Sequence, residues 1–185
     1  MKKQEFVVNK NKKIFVFDDV FELEQRNNFY NIISSQVMFR IGFQDQNVIE
    51  NKKYQYLHSE WSEEEASKFG ILKNLNIKDH KDILELIDNT NFSRAIVNLT
   101  LPGDTYFVHT HPGLTALYYC NLHWKEEYAG ETLFFNEDVS EIIYASMYKP
   151  GRLIIFDGTI PHTIRPQSSS APSYRFTYTT FLQTI

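Results

Sequence analysis

After about residue 92 the chain breaks into eight short apolar runs, and this rhythm limits its possible folds more than any other feature. The runs are 94–101, 106–110, 114–122, 132–135, 141–148, 152–156, 159–164 and 174–182. Between them stand Pro102-Gly103-Asp104, Pro112-Gly113, Ala129-Gly130, Lys149-Pro150-Gly151, Asp157-Gly158 and the stretch 168–172. Each run is long enough to cross one sheet, and each Pro, Gly or Asp break turns the chain back, so the pattern describes a sandwich or jelly roll. The earlier half reads differently. Phe6-Val7-Val8 and the apolar run 14–17 flank a polar tip, as in a hairpin. Asp18 or Asp19 can cap a helix near 19–36, whose apolar residues Phe21, Phe29, Ile32 and Ile33 recur at helical intervals. Residues 37–58 have room for one or two short strands. Ser62 with Glu65 forms a capping-box pattern for a helix over 62–69 that stops at Gly70, and Asp79 begins another with Ile83, Leu84, Leu86 and Ile87 as its stripe. Helices first and strands second predict an α+β, mainly β, fold: a jelly roll with N-terminal helices backing one sheet. The expected organisation is one domain over 1–185, with supporting helices and flanking strands in 1–92 and the β core in 93–185.

Composition narrows the function classes. The net charge is −4, and Lys and Arg do not cluster beyond Lys2-Lys3 and Lys12-Lys13. Nucleic-acid binding, which depends on clustered cations neutralising phosphates, is not expected. No apolar segment is long enough to span a bilayer, and no signal-peptide core follows the charged start, so the expected compartment is the cytoplasm. The single cysteine, Cys120, cannot form an internal disulfide; within an apolar run it reads as a buried filler.

Chemistry concentrates in the histidines. His109 and His111 are two apart, so on an extended segment they project from one face. His162 follows the apolar run 152–156 and the Asp157-Gly158 turn. Three imidazoles suit iron, zinc, copper or nickel, since imidazole is a borderline-soft donor.

Strand parity sorts the neighbours. If the histidines point inward, Thr115, Leu117, Tyr119 and Asn121 form one alternating set, opposed to Ala116, Tyr118, Cys120 and Leu122. In the last strand Ser173, Arg175, Thr177 and Thr179 alternate with Tyr174, Phe176 and Tyr178, a set suited to packing on helices. Arg175 is thereby placed among hydroxyls on a shielded face. A buried guanidinium calls for a carboxylate opposite, supplied by the protein or by a ligand, and its planar fork suits bidentate pairing.

Several blocks together carry a family resemblance: Tyr118-Tyr119-Cys120-Asn121-Leu122-His123-Trp124, Ala129-Gly130-Glu131-Thr132-Leu133-Phe134-Phe135, Pro150-Gly151-Arg152-Leu153-Ile154-Ile155-Phe156, His162 and Arg175-Phe176-Thr177. In order and spacing, over roughly 94–182, they resemble the prolyl-4-hydroxylase-type Fe(II)/2-oxoglutarate oxygenases. The resemblance implies a double-stranded β-helix, the cupin-like jelly roll. It places the family's His-X-Asp pair on His109 and His111 and its distal histidine on His162. The arginine that grips the far carboxylate of 2-oxoglutarate falls on Arg175, the assisting tyrosine on Tyr119, and Thr115 and Thr177 line the same pocket; Arg165 is the competing arginine.

His111 stands where the family carries an acid. Either three imidazoles hold the metal, or His111 stays free and water joins His109 and His162; Asp104 and Glu131 are the acids to check as substitutes. Three neutral ligands leave the metal one unit more positive than two histidines and a carboxylate would. The implied activity is Fe(II)-dependent hydroxylation of a C–H bond in a peptide or small molecule, with 2-oxoglutarate and O2 consumed and succinate and CO2 released. Two other readings compete: a three-histidine dioxygenase that ignores 2-oxoglutarate, and a jelly-roll binding module without turnover. Among the remaining residues, His58 and His80 read as surface positions, Trp124 as packing, and Gln167 as the start of a loop near the barrel mouth.

Overall fold

The computed structural model describes residues 2–43, 55–69, 80–104, 106–172 and 174–185. Gly70 and Asp79, expected at a helix end and a helix start, lie outside them. The hairpin expected at the N-terminus is present: β1 (Lys2–Val8) pairs with β2 (Lys12–Asp18), and Asn9, Lys10 and Asn11 take positive φ at its tip. Helix α1 (Leu23–Ser35) follows; β3 (Arg40–Phe43) and β4 (Gln55–Trp61) come next, then α2 (Glu63–Phe69) and α3 (Lys81–Ile87). The later strands are β5 (Thr90–Thr100), β6 (Leu114–Tyr119), β7 (Thr132–Phe135), β8 (Ile142–Ser146), β9 (Leu153–Asp157), β10 (His162–Ile164) and β11 (Arg175–Thr184). The expected run at 106–110 forms no strand; it keeps a single bridge at His109.

Neither Asp18 nor Asp19 caps α1. Asp18 closes β2, where Arg152 reaches it at 2.7 Å and Lys149 at 3.0 Å, and these two cations hold its carboxyl below the ordinary range although burial acts the other way. The helix begins after Glu22, whose N–H donates to Gln25 Oε1. At α2 the expected cap forms: Ser62 N–H donates to Glu65 Oε2, and Glu65 N–H donates to Ser62 Oγ.

Eight strands form the main sheet in the order β1-β2-β9-β6-β11-β5-β4-β3, and β10-β7-β8 form a smaller one facing it, the two sheets of a double-stranded β-helix. Side-chain alternation gives the main sheet two different faces. One carries Phe17, Ala95, Val97, Ala116, Tyr118, Cys120, Ile155, Phe176 and Tyr178, which pack with Phe29 and Ile33 of α1, Ala66 of α2 and Ile83 of α3. Leu84, expected in the α3 stripe, is exposed. The other face meets the small sheet. Its β2–β9 side is filled by Ile14, Val16, Ile154 and Phe156 against Phe134 and Ile160. Its β6–β11–β5 side carries Thr115, Thr177, Thr179, Asn98 and Thr100, which are too small to fill the gap between the sheets. A cleft of about 470 Å³ remains there.

Candidate metal centre

The two histidine-bearing segments meet as an antiparallel pair. His109 N–H donates to His162 O and His162 N–H to His109 O, each at 3.0 Å. Residues directly opposite in such a pair share a face, so both imidazoles point into the cleft. His111 follows two residues later, and its N–H donates to Gly158 O at 2.7 Å. The approach is close because Gly158 has no side chain: a Cβ there would lie 2.7 Å from His111 O and 3.0 Å from Gly113 O. Ring centroids are 4.8 Å apart for His109 and His111, 4.5 Å for His109 and His162, and 5.3 Å for His111 and His162. One ligand nitrogen from each lies within 4.8 Å of the others, and among the described residues no other group of three metal-ligating side chains is so gathered.

Two rings are oriented by backbone carbonyls. His109 Nδ1 bonds Phe107 O at 3.0 Å, and His162 Nδ1 bonds Ile160 O at 2.8 Å. A carbonyl only accepts, so each Nδ1 bears the proton and each Nε2 keeps a lone pair for a metal. Aromatic rings back all three: Phe107 against His109, Phe181 against His111, Phe156 against His162. Burial pushes His162 down to about 3, with the neighbouring His109 adding to the effect. Burial lowers His111 to about 4, helped by His109 and Arg94, and burial lowers His109 against the opposing bond to Phe107. At neutral pH all three are unprotonated, as a ligand must be.

Neither candidate acid, Asp104 or Glu131, lines the cleft, although Glu131 Oε2 is buried with no hydrogen-bond partner among the described residues. Asp104 accepts from Leu101 N–H, and Asp157 accepts from Thr159 N–H within the turn. Glu131 faces Arg165, 3.5 Å away. Arg165 is thereby directed out of the cleft, which Arg175 lines. Arg175 is 1% exposed, its guanidinium lies 4.7 Å from the Tyr148 ring and 5.7 Å from that of Tyr119, and its Nε donates to Gly130 O. Its Nη2 is buried with no hydrogen-bond partner among the described residues. Gly130, at φ +83°, makes this seat: a Cβ there would lie 3.1 Å from Arg175 Nε.

Thr177 lines the same end, across β6 from Tyr119. The Tyr119 hydroxyl does not enter the cleft; it bonds Thr132 Oγ1 at 2.7 Å and Ser146 O at 3.2 Å, and Thr132 takes the place at the wall. Thr115 lines the cleft at the histidine end, beside Phe156 and Phe181, not beside Arg175. Thr179 lines the wall, as the inward set of β11 predicts, whereas Thr132 is a wall residue that the sequence reading missed. His80 is half-buried, with Nε2 bonded to Val20 O. Trp124 packs on Tyr148 and donates to Ala129 O. Gln167 is buried and receives the Thr100 hydroxyl, so the start of its loop is fixed to β5. No helix among the described residues is long and apolar enough to cross a membrane.

No protein-family model matches the chain, and no curated protein matches it in sequence. Solved structures do. A Pseudomonas putida prolyl-4-hydroxylase superposes with a TM-score of 0.66 at 16% identity, over 92% of each chain. The fold is that of the prolyl hydroxylases and other 2-oxoglutarate/Fe(II) oxygenases. The Trichoplax adhaerens prolyl hydroxylase, solved with a hypoxia-inducible-factor peptide fragment, gives 0.66 at 18% identity over 92% of this chain and 83% of its own. HygX of Streptomyces hygroscopicus, solved with nickel and 2-oxoglutarate bound, gives 0.65 at 8% over 92% and 82%. The resemblance read from scattered sequence blocks thus extends, as this prolyl-hydroxylase-type fold, over nearly the whole chain.

Proposed function

We propose that the protein is a metal-dependent oxygenase that uses 2-oxoglutarate and hydroxylates a C–H bond of a second substrate. The observation that carries this reading is the buried, unpartnered Nη2 of Arg175. Tyrosine rings offset part of the cost of burying the cation, but a guanidinium with a free fork at the closed end of a cleft fits a carboxylate group that arrives with a ligand. The fold supports the same reading, because relatives of this fold were solved with 2-oxoglutarate bound.

In this reading His109, His111 and His162 hold Fe(II) through imidazole nitrogens, with His109 and His162 fixed in the Nδ1–H form. The metal, when bound, supplies the activation of oxygen. The chain supplies position and charge. Arg175 binds the far carboxylate, Thr177 and Thr132 line its seat, and Tyr119 holds the Thr132 hydroxyl from behind. Phe156, Phe181 and Phe107 keep water from the flanks of the imidazoles and fix their rings. Three neutral imidazoles would leave the charge of a bound metal uncompensated toward the dianionic cosubstrate, which would strengthen the attraction relative to a site containing a carboxylate. The rival three-histidine oxygenase without 2-oxoglutarate leaves Arg175 to pair with a substrate's own carboxylate or a protein acid.

The test is an anaerobic titration of the protein with Fe(II) and then 2-oxoglutarate, following the visible charge-transfer band of keto-acid chelation. The band is expected to form, and Arg175→Met is expected to raise the 2-oxoglutarate concentration needed by about 100-fold, the scale of one charge-assisted pair, with iron affinity unchanged. Iron binding without a band would favour the three-histidine oxygenase; no iron binding would favour the binding module. His162→Ala is expected to abolish metal binding itself.

A further inference from the structure

Twenty described residues wall the cleft, including three histidines and two arginines, and none of these twenty is an acid, on a chain whose net charge is −4. Arg175 occupies one end. Arg94, the second arginine, stands at the other. On β11 the inward residues run Arg175, Thr177, Thr179, Phe181, and their partners on β5 run Thr100, Asn98, Ile96, Arg94. Six residues of strand, about 20 Å, thus separate the backbones that carry the two guanidiniums' ends of the cleft.

The imidazoles lie nearer the Arg94 end. The Phe181 ring has His111 edge-on at 4.6 Å and the Arg94 guanidinium over it at 4.8 Å. Arg94 is held in place by this ring, yet its charge is not neutralised in any committed way. Its acid partner among the described residues is Glu60, 3.6 Å away, and the two side chains are 46% and 50% exposed. A pair of that length and exposure contributes little and is readily exchanged for a better-placed anion. Glu60 itself stands opposite Ile96, on the same face of the sheet and one pair along from Arg94.

Resting on the proposed oxygenase reading, we infer that the second substrate is a small molecule bearing a carboxylate, and that Arg94 binds that group at the cleft mouth. A cosubstrate held by Arg175 occupies the far end, so the metal would lie between two anion seats. The substrate's carboxylate would displace Glu60 from Arg94, and the Phe181 ring would fix the distance from that carboxylate to the metal. A guanidinium there pairs more strongly with a carboxylate than with the neutral carbonyls of a peptide segment.

The experiment uses 15N-labelled protein loaded with Zn(II), which binds imidazole and does not turn over, and follows the side-chain Nε–H resonances of Arg94 and Arg175. Each is assigned by its disappearance in Arg94→Gln or Arg175→Met. Saturation with 2-oxoglutarate is expected to shift Arg175 and leave Arg94 in place. L-proline, hexanoate and phenylacetate are then added one at a time, with hexanamide, phenylacetamide and N-acetyl-L-proline methylamide as uncharged controls and cationic L-prolinamide as the carboxylate-free counterpart of L-proline. At least one carboxylate is expected to shift Arg94 and to bind tenfold or more tightly than its amide. That advantage should vanish in Arg94→Gln and grow several-fold in Glu60→Gln, where the competing acid is gone. A shift of Arg94 by 2-oxoglutarate alone would assign it to the cosubstrate and overturn the inference. Equal binding of acids and amides, preference for the methylamide, or no response to any of the three acids would also overturn it. Failure of the cosubstrate reading would show separately, as an Arg175 resonance indifferent to 2-oxoglutarate.

Discussion

At the scale of single residues, the three imidazoles combine burial with ligand readiness. Their proton affinities are held below the ordinary histidine value, whereas the unfolded chain titrates near 6.5. The unfolded state therefore takes up protons first as pH falls. Metal-free protein should have its full stability from this source above about pH 6.5 and lose it progressively toward pH 3. For His162 the loss is up to about 1.4 kcal/mol per pH unit across that window. Urea midpoints of the metal-free protein between pH 7.5 and 5 would show the slope, and His162→Gln should flatten it. Metal binding should behave oppositely, because no proton has to leave at neutral pH. Zinc affinity is expected to hold as the pH falls through 6.5, where a solvated imidazole would already be losing the metal. A fall that begins as the pH passes 6.5 would show that one ligand is a solvated imidazole, and would count against the three-histidine centre.

At the scale of elements, the site depends on turns as much as on strands. Gly158 lets the 109–113 segment lie against the β9–β10 turn, and a Cβ there would press on backbone at His111 and Gly113. Gly158→Ala should cost about 1–3 kcal/mol through overpacking and should weaken zinc binding tenfold or more by moving His111. A zinc titration that matches the wild type would show that this turn does not set the ligand's position. The same level explains what could be read in advance. Seven of the eight core strands, the inward set of β11 and the face of Thr115 followed from alternation and turn residues, because those signals are local. The capping of α1 did not follow, since Asp18 is claimed by Arg152 and Lys149, more than 130 positions away. Thr132 escaped notice for a similar reason: its face is set by the pairing of β7 with β10, which puts Phe134 opposite His162 and Thr132 opposite Ile164, about thirty positions away. The inward pair at 109 and 111 was legible by spacing, although the segment is an isolated bridge and not a strand.

At the scale of the whole molecule, two layers share one sheet, and damage to one need not reach the other. Phe29 of α1 lies edge-on to Tyr118, Tyr178 and Trp61 on the helix side. Phe29→Ala should lower stability by about 3–5 kcal/mol, read as a shift of the urea midpoint, while the folded fraction binds zinc as before. Weakened zinc binding in the folded protein would show that the helix layer sets the geometry of the site. The strand that joins the two halves of that sheet is β11: it lies between β6 and β5, and without it the main sheet divides into β1-β2-β9-β6 and β5-β4-β3. A ribosome that has released the chain only as far as β10 has therefore delivered all three histidines but no means of aligning the sheet behind them. Until β11 emerges, the nascent chain exposes two unmatched strand edges, and a chaperone that shields such edges would protect it in that interval.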